Sequence, residues 1–159
     1  MSPEIALETV PSQVVAGIVF STTMATLPED MTRTIGTLLE QVHSDSAITA
    51  IGPVIAVYPE EMRADGPWKC EICIPVAKPL LDHPVLTTHE LPGGRVATVT
   101  HHGSYDGLKD TYNSIFAWFT AYGHTYAGAP REIYLNSPDD VDTEDLLTRI
   151  EFPVIPAER

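Results

Sequence analysis

The segment Arg131-Glu132-Ile133-Tyr134-Leu135 places an acid two residues from a phenol. In an extended strand alternate residues share a face. Glu132 and Tyr134 then point one way, while Ile133 and Leu135 point the other way, toward a covering helix. A carboxylate beside an aromatic ring can hold a cation. The same pair can instead orient or deprotonate a water while a tyrosine hydrogen-bonds a developing oxyanion. The plainer alternative is an exposed strand carboxylate paired with Arg131 or Arg149.

Other residue groups invite chemistry less strongly. Cys70 and Cys73 form a C-x-x-C, but they sit in an alternating strand pattern, Trp68 to Pro75. Residues three apart on a strand face opposite ways, so a shared metal or an unstrained disulfide is not expected. His101-His102 are adjacent on a strand and cannot chelate together. They read as a solvent-side or capping pair, with one groove-facing histidine as the alternative. Asp139, Asp140, Asp142, Glu144 and Asp145 faintly resemble a calcium loop. The glycine that such a loop needs at its sixth position is replaced by Asp145, so a solvated acidic turn is expected. Pro92-Gly93-Gly94 reads as a turn between two strands. No metal and no cofactor are expected.

Two amphipathic helices must position these residues. Met31, Ile35, Leu38, Leu39 and Val42 form one apolar stripe, and Leu108, Tyr112, Ile115, Phe116 and Phe119 form another. The two stripes have the same spacing at a constant offset of 77, which also relates Pro53 to Pro130. Each proline precedes a short strand. Ile72 to Val76 and Ile150 to Val154 correspond at an offset of 78, and Val15 to Ile18 and Val96 to Val99 at 81. Each half therefore reads strand, helix, strand, strand. Pro28, Glu29 and Asp30 open the first helix. Ser104 and Asp106 are candidate caps of the second, and Gly123 ends it.

These elements predict one α+β domain over residues 1–159. Repeat 1 covers about 4–76, a proline-bearing linker about 77–84, and repeat 2 about 85–155. The expected sheet is antiparallel, with both long helices on one face and a ligand groove on the other, across a pseudo-twofold axis. By the offset of 77, Glu132 corresponds to Ile55 and Tyr134 to Val57, two aliphatic residues. An acid where the repeat permits an apolar group marks a functional position.

The chain has 159 residues, 43% hydrophobic and 19% charged, which is enough apolar material for a core. Nine Lys and Arg against 22 Asp and Glu give a formal charge of −13. Such a chain repels phosphate backbones and anionic membranes, so no direct nucleic-acid or membrane partner is expected. There is no apolar run of bilayer-spanning length. Met1-Ser2-Pro3-Glu4 lacks the pattern of a signal peptide. A cytoplasmic protein is expected.

His101-His102-Gly103-Ser104-Tyr105-Asp106-Gly107-Leu108, Pro130-Arg131-Glu132-Ile133-Tyr134 and Ile150-Glu151-Phe152-Pro153-Val154, with Tyr112, Trp118 and Gly123, resemble the GyrI-like family. These are small-molecule-binding domains that also form the effector-binding halves of BmrR-type and some AraC-type transcription activators. The resemblance covers nearly the whole chain. It implies a duplicated strand-helix-strand-strand fold, and it places the family's ligand-binding glutamate at Glu132. Its aromatic wall would draw on Tyr134, Tyr105, Trp68 and Trp118, and Ile55 and Val57 are expected to line the ligand site with them. A helix-turn-helix region is not recognisable before the first strand, so the chain resembles the stand-alone members.

Three functions are compatible with that resemblance. The first is a binding module for bulky aromatic compounds, cationic or neutral, using Glu132 and the aromatic residues to sequester or sense a drug or toxin. The second is a hydrolase of cyclopropane-type electrophilic compounds, with Glu132 activating water and Tyr134 or Tyr105 stabilising the oxyanion. The third is a partner of a protein such as gyrase or a regulator.

Overall fold

A computed structural model describes residues 4–58 and 65–155; Met1 to Pro3, part of the N-terminal reading, lie outside them. The chain forms two compact units, and each is an antiparallel four-stranded sheet with one long helix. The expected α+β class and the strand-helix-strand-strand order are both present.

The unit of Pro11 to Gly93 contains β2 (Gln13–Thr22), α1 (Leu27–Ser44), β3 (Ile55–Val57), β4 (Trp68–Pro75) and β5 (Thr87–Leu91), in the sheet order β3-β4-β2-β5. A proline lies in the first turn of α1, where its missing N–H costs nothing, and Glu29 and Asp30 follow it. Thr34, Leu38 and Val42 are the buried residues of that helix. Cys70 and Cys73 are both buried on β4.

The second unit contains β1 (Ala6–Val10), β6 (Gly94–His102), α2 (Leu108–Tyr122), β7 (Arg131–Tyr134) and β8 (Leu147–Pro153), in the order β1-β6-β8-β7. Its core is Ala97, Val99, Ile115, Phe119, Ile150, Phe152 and Val154, which places α2 against one sheet face. Gly123 ends α2 in the left-handed conformation, with φ 69°, where glycine carries no Cβ penalty.

These units do not follow the two sequence halves. β1 precedes β2 by two residues, yet it pairs with β6; β5 precedes β6 by two residues, yet it pairs with β2. Pro92-Gly93 therefore joins two strands that do not form a hairpin. The chain changes units twice, after Val10 and after Gly93, and Gly94 has φ 137°. Hydrophobic spacing reports which residues are strands, but not which strands they choose, so the exchange left no mark in the periodicity.

Two features of the Pro11–Gly93 unit carry predictions. A Cβ on Gly17 would lie 2.6 Å from Cys73 Cβ and 2.7 Å from the Ile72 carbonyl oxygen. Gly17→Ala is expected to lower stability by about 1–3 kcal/mol, read as a shifted urea midpoint at unchanged slope. The second feature is the His89 imidazole, whose Nε2 lies 2.8 Å from both oxygens of the mostly buried Glu71. Burial opposes the charged ring, but the hydrogen bond and charge of Glu71 prevail and raise its pKa above the ordinary 6.5. The ion pair's stabilisation is thus complete below about pH 6.5 and fades as pH rises through the raised value. Urea midpoints should fall between pH 6 and pH 8.5, and His89→Gln should flatten that fall.

Candidate functional site

The register of β7 on β8 decides where its side chains point. Glu132 pairs with Ile150 and Tyr134 with Thr148, while Ile133 pairs with Arg149. Directly paired residues share a sheet face. Ile150 belongs to the core beneath α2, so Glu132 and Tyr134 lie on the helix side. This corrects the expectation that Ile133 and Leu135 face the helix and that the acid faces away from it. Ile133 is buried on the opposite face, and Leu135, just beyond β7, is exposed. Aliphatic residues alone do not mark the covered face of this strand, because a buried acid there finds donors.

The helix side can hold an acid because α2 supplies a donor. Tyr112 O–H donates to Glu132 Oε2 at 2.6 Å, and Tyr134 O–H donates to Oε1 at 2.9 Å. Glu132 retains 5% of its exposure, so both bonds form largely out of water, where charge-assisted bonds are strong. The Tyr112 ring is fixed edge-on to Phe152, with centroids 6.0 Å apart. Tyr134 meets Tyr105 edge-on at 6.0 Å. Burial, reinforced by the Glu132 charge, raises the Tyr105 phenol above its usual pKa of 10. Tyr105 therefore remains a neutral hydrogen-bonding group at neutral pH.

Tyr105 is held by the motif that precedes it. His101 is buried. Its Nε2 lies 2.7 Å from the Ser104 carbonyl oxygen, which requires the ring N–H at Nε2. Nδ1 lies 2.7 Å from the Thr111 hydroxyl of α2. Gly103 turns the chain at φ 104°, a conformation that favours glycine. Ser104 Oγ then accepts from Asp106 N–H and caps the short 3-10 helix Tyr105–Gly107, not α2 itself. A side chain at Gly107 would come within 3.0 Å of the His101 ring. His101 is thus a buried clamp and not half of a solvent-side pair; its neighbour His102 is exposed.

The structure gathers three of the expected site residues, Glu132, Tyr134 and Tyr105. Trp118 lies elsewhere on α2. It is six residues, about 240° of helix, from Tyr112, and it stacks on His124 with centroids 5.0 Å apart. Ile55, Val57 and Trp68 belong to the Pro11–Gly93 unit. There Ala56 pairs with Ile72, as Glu132 pairs with Ile150. Counted on the ladders, the counterpart of Glu132 is Ala56 and that of Tyr134 is Tyr58. The correspondence to Ile55 and Val57 was one residue out, and those two face the side opposite Ile72. Trp68 is buried beside Tyr58, with ring centroids 6.3 Å apart.

Sequence reasoning missed the role of Tyr112 at the carboxylate and the exposure of Phe116. Tyr112 belongs to the apolar stripe by spacing, but a phenol on a buried stripe needs a polar partner, and Glu132 is that partner. Phe116, on the same apolar stripe, is 40% exposed and lies one helical turn beyond Tyr112, with ring centroids 6.4 Å apart. Among the described residues no three His, Cys, Asp or Glu side chains gather to hold a metal ion. None of the described helices is long and apolar enough to cross a membrane.

The fold recurs in solved structures. The C-terminal domain of EcmrR matches with a TM-score of 0.82 at 21% identity, over 99% of this chain and 100% of that one. In the EcmrR–DNA complex the TM-score is 0.83 at 22% identity, over 98% of this chain and 58% of that chain, so this chain spans little more than half of that protein's length. SAV2435 bound to tetraphenylphosphonium matches with a TM-score of 0.68 at 15% identity, over 96% and 94% of the two chains. At these identities the likeness is one of fold. Residues 3–155 match the family described as GyrI-like small molecule binding domain. With nearly the whole chain inside that match, the protein belongs to the GyrI-like small-molecule-binding domain family.

Proposed function

We propose that this domain binds bulky aromatic compounds, cations in preference to neutral molecules, and so sequesters or senses them. The observation that carries this reading is the buried Glu132 carboxylate set among Tyr112, Tyr134 and Tyr105. Each oxygen already accepts a phenol hydrogen bond, so the negative charge is fixed in place before any ligand arrives. In a partly dried site that charge attracts a cation more strongly than it would in water. Phe116, exposed beside Tyr112, offers a ring face worth about 0.5–2 kcal/mol to a cation above it. SAV2435, of similar fold, is bound to tetraphenylphosphonium, a compound of this class. The assignment of Trp68 and Trp118 to the ligand wall rests on the family resemblance.

Calorimetric titration with tetraphenylphosphonium and with neutral triphenylphosphine oxide tests the reading. Glu132→Gln should weaken the cation by about 1.5–3 kcal/mol, and the neutral compound far less. Equal losses for both would make Glu132 a structural residue. Phe116→Ala should weaken both compounds, by about 0.5–2 kcal/mol for the cation. Incubation with ring-strained or ester-bearing aromatic compounds at substrate excess separates binding from hydrolysis. Stoichiometric binding without product is expected. Many turnovers that vanish in Glu132→Gln would replace this reading with the hydrolase one.

A further inference from the structure

Two exposed rings beside the Glu132 cluster stand next to each other. Phe116 is 40% exposed and Tyr126 46%, and their centroids are 5.9 Å apart. Single exposed apolar side chains are ordinary on a protein surface, whereas adjoining ones mark a surface that takes a partner. Both rings rest on the buried Phe152, each with its centroid 5.5 Å away. Tyr112 rests on the same ring at 6.0 Å and lies 6.4 Å from Phe116. An aromatic strip therefore leads away from the carboxylate. It runs from Glu132 to Tyr112, one helical turn on to Phe116, and across to Tyr126.

The far end of the strip is held in place before any ligand arrives. Ile155 N–H donates to the Thr125 carbonyl at 2.8 Å, and Ala127 N–H donates to the Pro153 carbonyl at 2.7 Å. The backbone on both sides of Tyr126 is thus tied to the end of β8 and the residues just after it. On its inner side the Tyr126 ring meets Phe119 at 5.4 Å. Rings fixed in this way lose little freedom when a ligand stacks on them. The strip has a negative charge at one end, on Glu132, and uncharged rings along the rest. Tyr126 lies beyond the carboxylate's own donors, Tyr112 and Tyr134, so it meets the far end of a ligand and not its charge.

We propose that Phe116 and Tyr126 form a second aromatic subsite, which selects elongated cations with two or more rings in line with the charged centre over bent ones. This rests on the binding role of Glu132 given above and adds the shape that the site selects. The charged centre lies against Glu132 and Tyr112, the first ring against Tyr112 and Phe116, and the outer ring against Phe116 and Tyr126. Edge-on and offset contacts of this kind are the ones aromatic rings prefer.

The test compares para-phenylbenzyltrimethylammonium with its ortho isomer. The two have the same atoms and charge, and they differ only in where the outer ring points. In calorimetric titration of the full chain the para isomer should bind about tenfold more tightly. Tyr126→Ala should reduce that ratio to about twofold or less, and Tyr126→Phe, which keeps the ring, should retain it. Tyr126 also packs on Phe119 and Phe152. Should the alanine variant fail to fold, nuclear Overhauser contacts in the native chain decide, and they should join the outer ring of the para isomer to Phe116 and Tyr126. Glu132→Gln should weaken both isomers and leave their ratio standing. Unchanged affinities in that variant would sink the Glu132 reading, whereas the subsite stands or falls on the ratio. Equal binding of the two isomers, a preference that survives Tyr126→Ala, or outer-ring contacts away from Phe116 and Tyr126 would overturn the proposal. So would self-association of the chain that Tyr126→Ala abolishes, because the pair would then be a contact between copies.

Discussion

A carboxylate taken out of water must find donors, and that demand at Glu132 organises much of the unit around it. Tyr112 and Tyr134 meet it from two elements, α2 and β7. For Tyr112 to reach, α2 has to lie across the sheet with the phenol ring braced on Phe152. For Tyr134 to reach, β7 has to pair with β8 in the register that turns even-numbered residues inward. The core beneath α2 is thereby apolar at its centre and polar at one margin. A slip of one residue would bury Arg131 and Ile133 there and carry the carboxylate to the opposite face.

The same demand explains the histidine motif. His101 ties the turn carrying Tyr105 to Thr111 on α2. A turn that wandered would take Tyr105 away from Tyr134. The glycines at 103 and 107 serve this clamp, one through its backbone conformation and the other through its missing side chain. The most recognisable string in the sequence is therefore a scaffold for the site rather than chemistry in itself.

Much of this was legible beforehand. The helix stripes, the strand-helix-strand-strand order, Gly123 as a stop and the pairing of Glu132 with Tyr134 on one face all follow from spacing. The side that this face occupies did not, because aliphatic residues alone were allowed to mark the covered surface. The counterpart of Glu132 was missed by one residue because helix offsets do not carry through a loop into a strand register. The roles of Tyr112 and His101 depend on contacts between elements, which no local pattern encodes. The exchange of β1 and β5 depends on pairing choice, which periodicity cannot express.

That exchange has a consequence for synthesis. β1 leaves the ribosome before β2 to β5, but its partner β6 follows all four of them. Until Gly94 to Thr98 have been made, β1 has no native place, while β2 can already pair with β4 and then with β5. Such long-range pairing delays closure of the fold and leaves an unpaired strand waiting. The sequence of β1, Ala-Leu-Glu-Thr-Val, suits that wait: it is short, and its Glu8 and Thr9 are polar and exposed, which lowers its tendency to seek the wrong neighbour. The Pro11–Gly93 unit can thus assemble during translation, whereas the unit bearing Glu132 needs segments from before and after it.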